Sequence, residues 1–505
     1  MVLFLRNRKE VKQKLKLYRR LIVPFGLLLV FGLAGCNSNE TVTNVGKLEF
    51  QQALKIPELL EPTIESDGTK HFSLTMEPGT TEFFPGEITD TWGINGSYLG
   101  PTIRVSRGDK VSFDVVNKLG ETSTLHWHGM MLPPAMDGGP HQMIEAGETW
   151  SPHWTIDQPS ATTWYHPHLH GKTAQHVYRG LAGMFIIDDE DSKKLPSNYG
   201  VDDIPLIVQD KLFTSDGQLS EDDDTPYGML GDEILVNGTY DPFLKVTASQ
   251  VRFRLLNGSN ARAYNFGFTD GRSFQLVAND AGLLNEPVTL ERFMLSPGER
   301  AEIVVAFEPE EETILRSYSS GAGITNGEFD LLKIVADSEL TGSSPISKQL
   351  SSIEPIEVPA DAKVRQFKLT MENEINDKLM DMYRIDEVVP AGTKEIWEIH
   401  NFGSEHNFHI HDAAFRVLDI NDKEPPEYAR GRKDTVFIPH GASVRIAVEF
   451  GNYTDLNYPL MYHCHLLKHE DEGMMDQFLL VEPGTESQVP TELRDDGVEH
   501  PHNGH

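Results

Sequence analysis

Tyr462-His463-Cys464-His465-Leu466-Leu467-Lys468-His469-Glu470-Asp471-Glu472-Gly473-Met474 is the stretch on which the reading of this chain turns. An extended backbone sends successive side chains to opposite faces, so His463 and His465 point one way and Cys464 the other. Cys464 therefore cannot share a metal ion with its two neighbours. It serves a second site, joined to the first by roughly 7 Å of backbone. His469 and Met474 follow downstream. One thiolate, two imidazoles and a weak thioether make the trigonal-plus-axial donor set of blue copper.

The pattern returns upstream without the thiol. Tyr165-His166-Pro167-His168-Leu169 matches Tyr462-His463-Cys464-His465-Leu466, with Pro167 in the cysteine position, so only the later copy can hold that copper. Two further motifs are His126-Trp127-His128-Gly129 and His406-Asn407-Phe408-His409-Ile410-His411. The twenty histidines are unevenly spread: none lies between Val177 and Ile399, whereas seven fall between Leu125 and Gln175 and seven between Glu405 and Glu470. A solvated surface would scatter them, and ligation explains the clusters better.

Asn95-Gly96-Ser97-Tyr98 recurs as Asn237-Gly238-Thr239-Tyr240, each followed by alternating runs that end at Asn117 and Asn257. A fainter copy runs from Ile375-Asn376 to His400-Asn401. Short alternating strands between turn residues indicate β-sandwich modules, and repetition indicates three of one kind. Their expected spans are 47–190, 191–340 and 362–484, with a linker at 341–361 and an acidic, histidine-containing tail at 485–505. Matching Asn265-Phe266 to Asn407-Phe408 puts Gly267 where His409 stands. The middle module thus keeps the framework without the ligands, leaving it to space the others or shape a cleft.

With 77 acidic against 44 basic side chains and a net charge of -33, the 505-residue chain is unsuited to nucleic acid. Two cysteines cannot build a disulfide framework. Residues 1–35 read as an export signal of lipoprotein type: a basic stretch, then an apolar run from Leu21 to Gly35, short of the ~20 residues a spanning helix needs. Leu33-Ala34-Gly35-Cys36 resembles the bacterial lipoprotein box, which makes Cys36 the lipidated residue and 36–46 a tether. Arg19-Arg20 hints at twin-Arg export. The expected location is the extracytoplasmic face of a bacterial membrane, held by the lipid. Removing the leader's net +7 takes -33 to -40 for the remainder.

The four histidine motifs, in this order, closely resemble those of the multicopper oxidase family: laccases, bilirubin oxidases, spore-coat laccases and bacterial copper-efflux oxidases. The resemblance covers residues 47–484 and implies an all-β fold of three cupredoxin-like Greek-key β-sandwich domains carrying four copper ions. By motif position it assigns type 1 copper to His406, Cys464, His469 and Met474, and type 2 copper to His126 and His409. It assigns the type 3 pair to His128, His166, His168, His411, His463 and His465. The trinuclear cluster would then lie between the first and third modules. Asp137 and Glu470 match family acids that relay protons. The implied reaction couples four one-electron oxidations, entering near His469, to reduction of O2 to water.

The implied partners are O2 and a small reductant: a phenol, an aromatic amine or Cu(I). A monomer is expected. A laccase-type oxidase is the leading reading. A cuprous oxidase for envelope copper tolerance competes with it, yet no long Met-rich insert appears, and Asn401–Glu405 lacks the Asp and Met of the efflux branch. Met380, Asp381 and Met382 remain candidates for Cu(I). A copper-binding or electron-transfer protein without oxidase activity is the third reading, and it leaves the cluster histidines without purpose. The acidity favours cationic or neutral donors. Met130, Met131, Met136 and Met143 could hold Cu(I) but read rather as core filler, His170 and His176 as neighbours of the ligands or satisfied surface groups, and His141, His153 and His440 as lacking partners at ligand spacing.

Overall fold

The computed structural model describes residues 41–489 and 491–493. The leader, Cys36 and the end of the tail lie outside the described residues. The chain is all-β, as expected, and the described residues contain two short α-helices, Thr173–Arg179 and Leu467–Asp471.

The repeated asparagines explain the repeated strands. Asn117, Asn257 and Asn401 each end a strand and are buried. In each case the side-chain oxygen accepts the N–H two residues on, from Leu119, Ser259 and Gly403. The side-chain amide then donates to carbonyls of the next loop and strand, such as Ile144, Leu295 and Ile438. An Asx turn of this kind replaces backbone partners that the chain loses as it leaves the sheet. Asn95, Asn237 and Asn376 form a second set. All three adopt positive φ, at 56°, 51° and 53°, a conformation asparagine tolerates better than most residues. Their side-chain oxygens take up the N–H groups of Thr75, Ile207 and Lys368. The fainter third copy therefore does the same physical work as the other two.

Alternating apolar residues face inward to build three principal cores. One contains Phe72, Val111, Phe113, Trp127 and Phe185; a second Phe253, Phe266, Phe293 and Ile303; a third Trp397, Phe408, Ile446 and Phe478. Neighbouring segments cross between them. Gln52–Ala53 pairs in parallel with Pro242–Ala248, Leu350 packs into the second core, and Ile356 joins Ala281, Ala414 and Ala447.

Two strand pairs carry the histidine motifs. His126–His128 runs antiparallel to Ala161–His166, setting His126 opposite His166 and His128 opposite Trp164. His406–Ile410 runs antiparallel to Leu460–His463, setting His409 opposite His463.

Candidate metal centre

The pairing puts eight imidazoles from the four motifs into one buried cluster. Ring centroids of His126 and His411 lie 4.0 Å apart and those of His128 and His409 3.7 Å apart, both stacked across the two strand pairs. His168 and His463 approach Nε2 to Nε2 at 3.1 Å, and His411 Nε2 lies 3.3 Å from the same His463 nitrogen. His465 packs its ring 4.9 Å from His128 and 5.3 Å from His166. Three trios have ligand atoms mutually within 4.8 Å: His126, His128 and His166; His126, His409 and His411; His168, His411 and His463.

Six of the eight rings are turned by a hydrogen bond to an acceptor. His126 Nδ1–H donates to the Asp137 carbonyl at 2.9 Å, His166 Nδ1–H to the Pro167 carbonyl at 2.7 Å, and His463 Nδ1–H to the Cys464 carbonyl at 3.1 Å. His409 Nδ1–H donates to the Asp434 carbonyl at 2.9 Å and His411 Nδ1–H to Asp137 Oδ2 at 2.9 Å. A carbonyl or carboxylate can only accept, so these partners fix the tautomer and leave each Nε2 with a lone pair. His128 is reversed: its Nε2–H donates to Asp434 Oδ1 at 3.2 Å, which leaves Nδ1 as the free donor atom. The free nitrogens of His126, His128, His166 and His409 are buried and have no hydrogen-bond partner. Burial pushes the pKa values of His128, His166, His409 and His411 well down, and those of His168 and His465 to about 3, with Glu470 partly opposing the fall at the last two. Neutral imidazoles with orphaned lone pairs fit a transition metal.

Cys464 turns away from this cluster. The strand ends at His463, yet the alternation persists one residue further, and Sγ lies 3.5 Å from His406 Nδ1 and 3.6 Å from His469 Nδ1. These three atoms form a separate buried trio within 4.8 Å. Burial pushes the thiol up to about 12, so a bound cation is what would hold it as thiolate. Met474 is buried in the same core, and its carbonyl accepts the Cys464 N–H at 3.1 Å. The histidine cluster and this trio of one sulfur and two nitrogens suit copper by donor softness.

His469, near which electrons are expected to enter, is not open to solvent. It is buried, and its Nε2–H donates to the Pro226 carbonyl at 2.9 Å. A loop of the middle module thus covers the ring, with Tyr227 6.4 Å away and hydrogen-bonded to Glu405. Asp137 and Glu470 are both buried beside the cluster, Glu470 with its oxygens 3.3 Å from His168 Nδ1 and 3.2 Å from His463 Nδ1. His176 is buried between Ser123 and Glu121, at 3.0 and 2.8 Å, away from the cluster trios. His141 Nε2 meets Gln477 Oε1 at 2.8 Å, and His440 Nδ1–H donates to the Gly403 carbonyl.

Sequence reading missed Asp434, Arg300 and Gly298. Asp434 receives His128 and His409, Arg300 grips Asp434, and a Cβ at Gly298 would sit 3.2 Å from the His465 ring and 3.3 Å from the His128 ring. No spacing signal marks them, because each partner lies far away in the chain.

Among the described residues, no helix is long and apolar enough to cross a membrane. Models of multicopper oxidase domains match residues 75–192, 205–328 and 354–484. The multicopper oxidase mco of Staphylococcus aureus is 36% identical over 442 residues, covering 86% of this chain and 94% of that protein. The cell division protein FtsP of Xenorhabdus nematophila is 36% identical, covering 86% and 93%. The laccase-like multicopper oxidase CueO of Ochrobactrum sp., described as active towards lignin model compounds and lignosulfonate, superposes with a TM-score of 0.78 at 38% identity, covering 85% of this chain and all of that one. With three matched domains and relatives aligned over most of its length, the chain belongs to the multicopper oxidase family.

Proposed function

We propose that the protein is a laccase-type oxidase holding four coppers, with type 1 copper on His406, Cys464, His469 and Met474. Type 2 copper falls to His126 and His409, and the type 3 pair to His128, His166, His168, His411, His463 and His465. The observation that carries this reading is the set of buried imidazoles whose tautomers are fixed with their free nitrogens converging, one residue from a thiol in its own trio. Bound copper supplies one-electron acceptance at the thiolate site and four-electron reduction of O2 to water at the histidine site. Cys464 belongs to one donor group and its two chain neighbours to the other, so two peptide units connect the sites. Asp137 Oδ2 and the Glu470 carboxylate stand beside ring nitrogens of the cluster and serve as proton carriers. The substrates would be phenols, aromatic amines and related donors, as the activity of the Ochrobactrum enzyme supports. The expected N-terminal lipid on Cys36 would hold the enzyme at the outer face of the membrane.

Steady-state O2 uptake with a phenol, alongside the visible spectrum of the copper-loaded protein, tests the assignment. Cys464→Ser is expected to abolish the blue absorption and phenol turnover while leaving copper in the histidine cluster. Turnover at the native rate by that variant would sink the electron-entry role.

A cuprous substrate is a second reading, favoured by one contact. The Met380 N–H donates to the Gly473 carbonyl at 2.9 Å, so Met380-Asp381-Met382 runs against the residue before Met474. O2 uptake driven by Cu(I), and its loss in a Met380→Leu/Met382→Leu variant, distinguishes this from phenol oxidation.

A further inference from the structure

We infer that the middle module supplies a positioning residue, Arg300, which holds Asp434, whose carboxylate sets the nitrogen that His128 presents and whose backbone carbonyl sets that of His409. The inference rests on reading those two imidazoles as copper ligands. Arg300 is fully buried at the start of the strand Arg300–Ala306. Its Nε–H donates to the Thr162 carbonyl at 2.9 Å, and Nη1 donates to the Gly298 carbonyl at 3.0 Å and Asp434 Oδ1 at 2.7 Å. Nη2 donates to the Asp280 carbonyl at 3.0 Å and Asp434 Oδ2 at 2.6 Å. A guanidinium has five N–H groups in a planar fork, and here all five have acceptors. Three of these acceptors are backbone carbonyls, and together they fix the plane of the fork.

The consequence passes to the imidazoles. A bidentate pair leaves the Asp434 carboxylate no freedom to rotate. Its Oδ1 takes the His128 Nε2–H at 3.2 Å, and its carbonyl takes the His409 Nδ1–H at 2.9 Å. One residue thereby directs two rings that stack 3.7 Å apart, one from each ligand-bearing strand pair. Asp434 lies within ligand distance of both rings, yet Arg300 and Thr435 already occupy its oxygens, so it acts as an acceptor for the rings. The backbone of the same loop completes the fit, since the bare α-carbon of Gly298 faces His128 and His465. Lysine could not substitute: it has three rotatable donors and no fork. The ligand-free module thus contributes to the centre by holding the residue that orients two of its ligands.

Arg254 provides the comparison. It is equally buried between modules, bound to Asp203, Glu302 and Thr162, and none of its hydrogen bonds reaches a histidine. Arg300→Lys, Asp434→Asn and Arg254→Lys are prepared in the full chain, stripped of copper and titrated with it. Copper per chain, the blue absorption and the paramagnetic resonance signal are the readouts. Arg300→Lys is expected to keep the blue site and to bind cluster copper about 10–100-fold more weakly. Asp434→Asn, which preserves the carboxylate's shape, is expected to do the same and to report even where Arg300→Lys fails to fold. Arg254→Lys is expected to bind cluster copper as the unmutated protein does. Native cluster affinity in Arg300→Lys, or an equal loss in Arg254→Lys, overturns the positioning role. Absence of cluster copper in the unmutated protein overturns the ligand reading first.

Discussion

An imidazole that is to bind a metal must have one nitrogen occupied and the other bare, and Asp137 arranges this twice. Its backbone carbonyl takes His126 and its carboxylate takes His411, so side-chain changes separate the two effects. Assayed at saturating copper, Asp137→Asn is expected to lower O2 consumption at least about 100-fold by removing the proposed proton carrier, since His126 keeps its backbone acceptor. Loss of copper in parallel with turnover would show that the carboxylate's role is purely to hold His411. A different buried group, Lys211, sets a pH dependence of stability. Its Nζ donates to the Tyr178 carbonyl at 2.7 Å beneath the Tyr178 ring, and burial, partly opposed by Asp210, lowers its pKa to about 7. The unfolded chain holds that proton up to about pH 10.4, so stability should climb from pH 7 to 10 by at most about 1.4 kcal/mol per unit. Lys211→Met is expected to flatten that rise in thermal unfolding; an unchanged slope would contradict it.

At the scale of the element, the turn Ser296–Glu299 carries more than its sequence announces. Gly298 sits at φ 82° with two cluster rings close by, so Gly298→Ala combines backbone strain with contact against His128 and His465. The variant is expected to fold and to retain the blue absorption, while cluster copper binds more weakly, as copper analysis would read. Asn407 Nδ2 anchors the same turn through the Pro297 carbonyl at 2.7 Å. This division explains what could be read in advance. The histidine motifs were legible because strand alternation converts sequence spacing directly into faces, and the module repeats because Asn117, Asn257 and Asn401 make the same local turn. Arg300, Asp434 and Pro226 were not, because the contacts of Arg300 with Thr162, Asp434 with His128 and Pro226 with His469 each span more than a hundred residues and obey no period. The cover over His469 was illegible for the same reason: it comes from another module.

For the whole molecule, charge and metal content dominate. A net charge of -33 raises the local concentration of cationic donors and lowers that of anionic ones. Screening acts beyond about 8–10 Å at ordinary ionic strength, so KM for a cationic aromatic amine should rise with salt while that for a neutral phenol stays level. Equal salt responses would remove the steering argument. Copper that binds only the folded chain should stabilise it by about 2.7 kcal/mol at a hundredfold excess over its dissociation constant. Chelation is therefore expected to lower the unfolding temperature, with recovery on adding copper back.

If the protein oxidises donors as proposed, the Pro226 carbonyl over His469 has a consequence for how it meets them. The ring is buried while the Pro226 it bonds is exposed, so a donor resting on Pro226 would meet the site through that hydrogen bond without touching the ring. Such a cover makes no shape-fitting demand at the point of entry. Donors would then be sorted by how readily they give up an electron and by the charge they bring to an acidic surface. On the proposed reading, that would be the behaviour of a generalist.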